Sequence, residues 1–192
     1  FINLKNFNRG GGYRSNGLKY FRGEFRDRQQ VNRGDVVMAV TDMTQNREVI
    51  GRAARVPYLG VTDGIISLDV VKISAFSWPD LFTYAHLRYS GISEALKELA
   101  NGANVLHLKP DLIGKQKYLV PDTPTVEEFV KLVEPFYEQI EKLEQQIDML
   151  EYTKNQLLPR LISGKLSVEN LNIQFPPSMQ SDKSDNAAEA AA

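Results

Sequence analysis

Residues 136–161 carry a seven-residue apolar repeat that a single helix cannot bury by itself. The repeat, which we call the seam, consists of Phe136, Ile140, Leu143, Ile147, Leu150, Leu157 and Leu161. The positions between them are mostly Glu, Gln and Lys, and Lys154 is the one polar interruption. A stripe this narrow is typical of a helix that pairs with another helix. A helix that lies on its own domain is the alternative, and the charged flanks favour a partner helix.

The sequence around the seam indicates where this helix begins and ends. Thr125 and Glu128 have the spacing of a capping box. At the other end, Pro159 removes a backbone donor and Gly164 suits a left-handed helix terminus. These signals predict one long helix over residues 124–166, with a kink or second start at Pro135. Residues 167–192 turn to Asn, Pro, Ser and Ala, which predicts a flexible C-terminal segment.

The chain before the helix, residues 1–123, has a β-rich pattern. Runs at 34–40, 49–56 and 64–73 are β-branched and punctuated by glycine, which predicts strands, and shorter strands are expected at 105–108 and 117–121. Two short helices are expected, one starting at Pro79 and one capped by Ser93. The predicted fold class is α+β: a β-rich domain with a few short helices, followed by one long coiled-coil-type α-helix.

The formal net charge of the 192-residue chain is only -1, but the charge is unevenly distributed. Residues 1–60 hold 11 Lys and Arg against 5 Asp and Glu, whereas residues 126–192 hold 6 against 12. A basic first third suggests a polyanionic partner such as nucleic acid. The absence of cysteine excludes disulfides and thiolate zinc sites. No apolar run is long enough to span a membrane, and we expect a cytoplasmic protein.

Two polar loops carry side chains of the kinds that read DNA. Arg, Gln, Asn, Asp and Thr can bond base edges, while Lys and Arg hold phosphates. We predict DNA contacts at Arg9, Tyr13, Arg14, Lys19, Thr41, Asp42, Thr44, Gln45, Asn46 and Arg47. Further candidate phosphate anchors are Arg22, Arg26, Arg28, Lys109, Lys115 and Lys117. A solvated hairpin loop with no DNA contact is the alternative for residues 41–48.

The sequence offers no complete catalytic motif. A DNA methyltransferase needs a glycine-rich cofactor loop and an Asn/Asp-Pro-Pro-aromatic tetrad, and the nearest match, at residues 175–178, has the wrong first and last residues. A phosphate-binding G-x-x-x-x-G-K-[ST] segment is also missing. His86 and His107 lie far apart in sequence, without a nucleophile to serve. We therefore expect no catalysis by this chain alone, no metal site and no cofactor of its own.

Several segments, taken in order, resemble one family. QLLPRLISGKLSV, at residues 156–168, looks like the segment that closes a helix in the DNA-specificity (S) subunits of type I restriction-modification systems. FINLKNF, RGDVVMAVTD, IGRAARV and ISLDVVKI resemble the opening of that family's target recognition domain. ANGANVLHLKPDLIGKQKYLVP resembles the segment that leads from this domain into the long helix. The resemblance covers about residues 1 to 170.

The resemblance implies a division of the chain and a set of partners. Residues 1–123 would form a target recognition domain for double-stranded DNA, residues 124–166 a dimerisation and spacer helix, and residues 167–192 a tail. Methyltransferase (M) subunits, which would bind S-adenosylmethionine, and restriction (R) subunits would join the complex. Such subunits usually hold two recognition domains and two helices, so this chain resembles a half-size form or one half. A homodimer through the helix is then expected, with a palindromic bipartite site.

Two other classes of function stay open on the sequence alone. A helix-mediated dimerising adaptor would bind protein and leave DNA alone, and it would show the same seam. A stand-alone methyltransferase or nuclease is disfavoured by the missing motifs. The basic stretches at 9–28 and 41–55 favour the specificity subunit over the adaptor.

Overall fold

The computed structural model describes residues 1–61, 63–75, 77–169, 172 and 174. It is a mixed α+β structure with small antiparallel sheets, a few short helices and one long C-terminal helix, which confirms the predicted fold class. The chain divides into two compact units, Phe1–Asp148 and Met149–Ala192. We call residues 1–122, which precede the long helix, the β-rich domain.

Seven short strands lie in this domain. They are β1 (Gln30–Val31), β2 (Val36–Ala39), β3 (Thr41–Asp42), β4 (Ala53–Arg55), β5 (Gly64–Ile65), β6 (Val70–Ile73) and β7 (Leu106–His107). A three-stranded antiparallel sheet has the order β4-β2-β6, and two further pairs join β1 to β5 and β3 to β7. Single-turn 3-10 helices lie at Leu4–Asn6, Asp27–Gln29 and Pro110–Leu112.

The central strand β2 is apolar at every position because both of its faces are covered. Val36 and Met38 belong to a core cluster with Leu81, Tyr84 and other residues of the short helices. Val37 and Ala39 belong to a second cluster that includes Ile2, Phe7 and Ile66. A strand buried on both faces has no polar alternation, and this explains the run GDVVMAV.

Three helices follow the sheet. They are α1 (Asp80–Tyr89), α2 (Ile92–Glu98) and α3 (Thr123–Ile162), which runs through Pro135 without a break. The predicted N-cap at Ser93 is wrong, because α2 begins one residue earlier and Gly91 occupies the N-cap with a φ of 84°. The Ser93 hydroxyl is buried and donates to the carbonyl of Gly51 at 2.8 Å. It therefore serves a long-range contact rather than the helix terminus.

The start of α3 also differs from the prediction. The Asp122 side chain accepts a hydrogen bond from the N–H of Thr125 at 3.2 Å, so Asp122 takes the capping role assigned to Thr125.

The predicted strand at 117–121 is wrong: these residues form no strand, and Leu119 is 91% exposed. β-branched and aromatic side chains suit a strand, but a strand also needs a hydrogen-bonded neighbour, and this segment has none among the described residues.

The C-terminal unit contains the end of α3. Gly164 has a φ of 70°, and its N–H donates to the carbonyl of Leu161 at 3.1 Å, which confirms the predicted left-handed terminus. The helix ends at Ile162 and not at residue 166. Most of residues 167–192, including the Pro-Pro segment at 175–178, lie outside the described residues, and so does the predicted flexible tail.

Candidate nucleic-acid interface

The loop between β3 and β4, residues 43–48, is built around a buried carboxylate, and we call it the contact loop. One oxygen of Asp42 accepts from the N–H and the hydroxyl of Thr44, both at 2.9 Å. The other accepts from the N–H groups of Val49 and Ile50 at 2.8 and 3.3 Å. Burial alone raises the pKa of Asp42, but these four hydrogen bonds outweigh burial and hold it below its usual range. The ionised carboxylate thus ties both ends of the loop together.

Asp42 and its neighbour Thr41 are removed from solvent. Their side chains are 2% and 3% exposed, and the Thr41 hydroxyl lies 3.5 Å from Nδ1 of His107. Because both residues are almost fully buried, the exposed residues of the loop are the ones placed to contact bases. The short polar run 41–48 could not reveal this difference, because it depends on the pairing of β3 with the distant β7.

Two residues of the contact loop hold it against neighbouring segments. Gln45 donates to the carbonyl of Ala103 at 2.7 Å, and Arg47 forms an ion pair with Glu98 at 2.7 Å. Arg47 has a φ of 52°, in the left-handed region. The Glu98 side chain is largely exposed, and exposed ion pairs contribute about 0–1 kcal/mol. A stronger partner can therefore take the guanidinium of Arg47.

The tip of the contact loop faces solvent. Thr44 and Asn46 are exposed, as predicted for residues that reach a ligand. Met43 is 68% exposed beside them, but an apolar side chain is not among the polar types from which the sequence prediction was made. Apolar groups can contact the methyl group of thymine, so Met43 joins the candidate set.

The glycine-rich loop lies next to the contact loop. Arg9 forms an ion pair with Glu48 at 3.1 Å, which brings together the two loops that the sequence predicted separately. The N–H of Asn8 donates to the carbonyl of Gly12 at 3.0 Å, and Gly12 has a φ of 92°. L side chains rarely adopt a φ of this sign, so the turn favours glycine at this position.

Tyr13 occupies a different environment from its neighbours. Its ring is half-buried against the second core cluster, and burial, followed by the charges of Asp148 and Glu144, raises the pKa of Tyr13 to about 12. Carboxylates this close disfavour a phosphate, so the ring does not suit the predicted DNA contact. Arg14 and Lys19, by contrast, are exposed.

All six candidate phosphate anchors are exposed. Arg26 and Arg28 line one groove, and a second groove is lined by Arg28 and Lys109. Arg28 and Lys109 are 81 positions apart in sequence, so no local pattern could have paired them.

One stripe of α3 packs against the β-rich domain. Val126 is buried, and Val130, Val133 and Tyr137 pack on the first core cluster. The rings of Tyr137 and Tyr84 meet edge to face at a centroid distance of 5.6 Å. The helix therefore lies on its own domain through this stripe, which contains no residue of the seam.

Further along the same stripe the contact becomes ionic. Arg33 donates to both carboxylate oxygens of Glu141 at 2.8 to 3.1 Å, and the N–H of Tyr58 donates to Glu141 at 2.6 Å. Burial raises the pKa of Glu141, but these bonds together lower it below its usual range. The sequence predicted no role for Arg33, and this contact was missed.

The seam lies on another face of α3. At 100° per residue it is centred about 100° around the helix axis from the stripe that packs on the β-rich domain. Its members in the first unit are 46% to 64% exposed, and those in the second unit are 38% to 69% exposed. The helix thus has one face covered by its own domain and a second, apolar face open to solvent.

Both histidines contact neighbouring side chains of the fold: His107 lies beside Thr41, and His86 lies among aromatic rings. The ring of His86 lies in an aromatic cluster, 5.2 Å from the ring of Trp78 and 5.0 Å from the ring of Tyr118, and burial lowers the pKa of His86.

Among the described residues, no group of three or more His, Cys, Asp or Glu side chains is placed to hold a metal ion. Within the same residues, no helix combines the length and apolar character needed to cross a bilayer.

These features define a class of structure: a small β-rich domain with clustered polar loops and a long helix that exposes an apolar seam. A comparison with solved structures finds similarity to the type I restriction-modification system S subunit from M. genitalium, with a TM-score of 0.48 and 13% sequence identity. The match covers 85% of this chain and 41% of that S subunit. This structural neighbour is of the class that the sequence motifs resemble. No protein-family model matches the chain, and no curated protein matches it either.

Proposed function

We propose that this chain is the DNA-recognition component of a type I restriction-modification complex and reads one half of a bipartite site. The observation that carries the proposal is the Arg9–Glu48 ion pair, which places the glycine-rich loop beside the contact loop. Together the loops present exposed donors and acceptors on a scaffold whose anchor, Asp42, is buried. Base readout needs such groups in a fixed arrangement.

The exposed seam supports the second half of the proposal. The seam would pair with the helix of a second copy, giving a homodimer, and α3 would dock the M subunits, and R subunits for cleavage. The chain itself would be non-catalytic and would hold no cofactor, because the M subunit would bind S-adenosylmethionine and methylate adenine.

The test is a map of methylated adenines. Cells that express an M subunit of the same system would be compared with and without this chain, and with a variant carrying Thr44→Ala and Asn46→Ala. We expect bipartite sites to be methylated only with the chain, and the variant to change or lose them. The same methylated sites with and without the chain would overturn the proposal.

A helix-mediated adaptor without DNA binding is the second candidate. The observation in its favour is that Arg9 and Arg47 already have carboxylate partners within the protein. Duplex binding that weakens steeply with salt supports the DNA-recognition component, since released counterions drive such binding. A chain that dimerises but binds no duplex at low salt is the adaptor.

A further inference from the structure

A groove with a basic lining lies at the edge of the three-stranded sheet, between β6 and the segment formed by β7 and the 3-10 helix Pro110–Leu112. It has a volume of about 780 Å³. Its basic side chains are Arg28, Lys72, His107 and Lys109, and none of the described residues that line it is Asp or Glu. The floor is formed by aliphatic side chains such as Val71 and Leu108.

Two of the cations of this groove are available, unlike many others in the β-rich domain. Arg33, Arg52 and Arg55 are paired with Glu141, Glu94 and Glu134. Lys72 is paired with Asp35 at 2.6 Å. In the described part of the chain, Arg28 and Lys109 form no ion pair and are exposed. Two cations without an ion-pair partner therefore line one groove.

The groove begins where the contact loop begins. Thr41 and His107, which pair β3 with β7, both line it, and the N–H of Leu108 donates to the carbonyl of Val40 at 2.8 Å. The β3–β7 strand pair thus joins the basic groove to the loop proposed to read bases. In protein–DNA interfaces, phosphate contacts set the register in which base-reading side chains act.

We infer that this groove holds the sugar–phosphate backbone of duplex DNA, with Arg28 and Lys109 as the phosphate contacts. The inference rests on the proposed function and adds to it a site that positions the duplex without reading its sequence. Exposed cations without an ion-pair partner suit phosphate oxygens, and the aliphatic floor offers no hydrogen bonds to a base edge.

The test compares two charge-matched double variants of the full chain. Arg28→Ala with Lys109→Ala removes the groove cations, and Lys131→Ala with Lys142→Ala removes two exposed cations from α3. Each is titrated with a duplex that contains the mapped site and with a scrambled duplex, over a series of salt concentrations. Circular dichroism melting checks that both variants fold.

The groove variant should lose roughly tenfold in affinity for both duplexes, with an unchanged ratio between them. The slope of log K against log salt should fall by about 2, and the control variant should match the wild type. A loss confined to the specific duplex overturns the inference, because the groove would then read bases. Unchanged duplex binding by the groove variant also overturns it, whether or not the variant loses binding to polyglutamate, the probe for an acidic peptide site. A wild-type chain that binds neither duplex overturns the proposed function itself.

Discussion

The guanidinium of Arg33 donates to both carboxylate oxygens of Glu141, a residue 108 positions away, at 2.8 to 3.1 Å. The Glu141 side chain is only 12% exposed, and it also accepts from the backbone of Tyr58. This contact fixes α3 to the turn before β2 at the point where the apolar packing of the helix gives way to charge.

Replacement of Glu141 by Gln should lower the free energy of unfolding by about 1–2 kcal/mol. The amide keeps one acceptor but loses the charge-assisted pair with Arg33. Urea denaturation of the full chain measures the change. Glu138→Gln, an exposed position on the same helix, is the control and should have almost no effect. Equal losses in the two variants would show that the pair contributes nothing.

The same carboxylate predicts a pH dependence. Because the pKa of Glu141 is lowered in the folded protein, its contribution is complete above the ordinary Glu value of about 4.3. The contribution is lost as pH falls through the lower folded-state pKa. The stability difference between the wild type and Glu141→Gln should therefore be full at pH 7 and shrink below about pH 4. A difference that does not vary between pH 7 and pH 3 would contradict the assigned ionisation.

Asp42→Asn should destabilise the contact loop and weaken DNA binding. An amide has one carbonyl oxygen, so about two of the four hydrogen bonds are lost and an N–H group is placed against other donors. The expected loss is about 1–3 kcal/mol of unfolding free energy. Thermal and urea unfolding measure it, with the exposed Asp111→Asn as the control. If Asp42→Asn unfolds like the control, the carboxylate does not organise the loop.

Arg47→Ala should weaken binding to the specific duplex by about 1–3 kcal/mol and relax the preference at one base pair. Glu98→Gln tests the competition for this guanidinium: loss of its partner charge should leave binding equal or tighter. Both are measured by titration against a panel of single-base-pair variants of the site. An equal loss for Arg47→Ala on every duplex would show that Arg47 holds a phosphate and does not read a base.

Leu143→Asp with Leu150→Asp should abolish helix pairing, because two carboxylates would then lie on the apolar seam. The control moves both changes back by one residue, to Lys142→Ser and Met149→Asp, and is compared with Leu143→Ser and Leu150→Asp, so that each pair adds one carboxylate. Met149 is as exposed as Leu150, but it lies about 100° away around the helix. Sedimentation velocity gives the assembly state. Dimers in every variant would rule out the seam as the pairing surface.

Elements determined by local chemistry could be predicted from the sequence. The long helix and its glycine terminus follow from the seam and Gly164, and strand β2 follows from its unbroken apolar run. Features that depend on distant residues could not. Ser93 resembles an N-cap until Gly51 is seen beside it, and residues 117–121 have strand composition without a neighbouring strand.

In the candidate site, too, local features could be predicted from the sequence and long-range contacts could not. The polar composition of residues 41–48 indicated a ligand-facing loop, but its partition into a buried anchor and an exposed tip depends on β7. The pairing of Arg9 with Glu48, and the meeting of Arg28 and Lys109 in one groove, join residues tens of positions apart. Charge counts along the chain located the basic region but could not tell neutralised cations from available ones.

Three of the four hydrogen bonds to Asp42 come from backbone N–H groups, and these donors do not depend on which side chains the loop carries. Residues 43 and 46 can accordingly be exchanged while the anchor keeps the shape of the turn. New target preferences would then arise by substitutions at the tip, at little cost to folding, and a library varied at these two positions is a natural starting point for redirecting the protein.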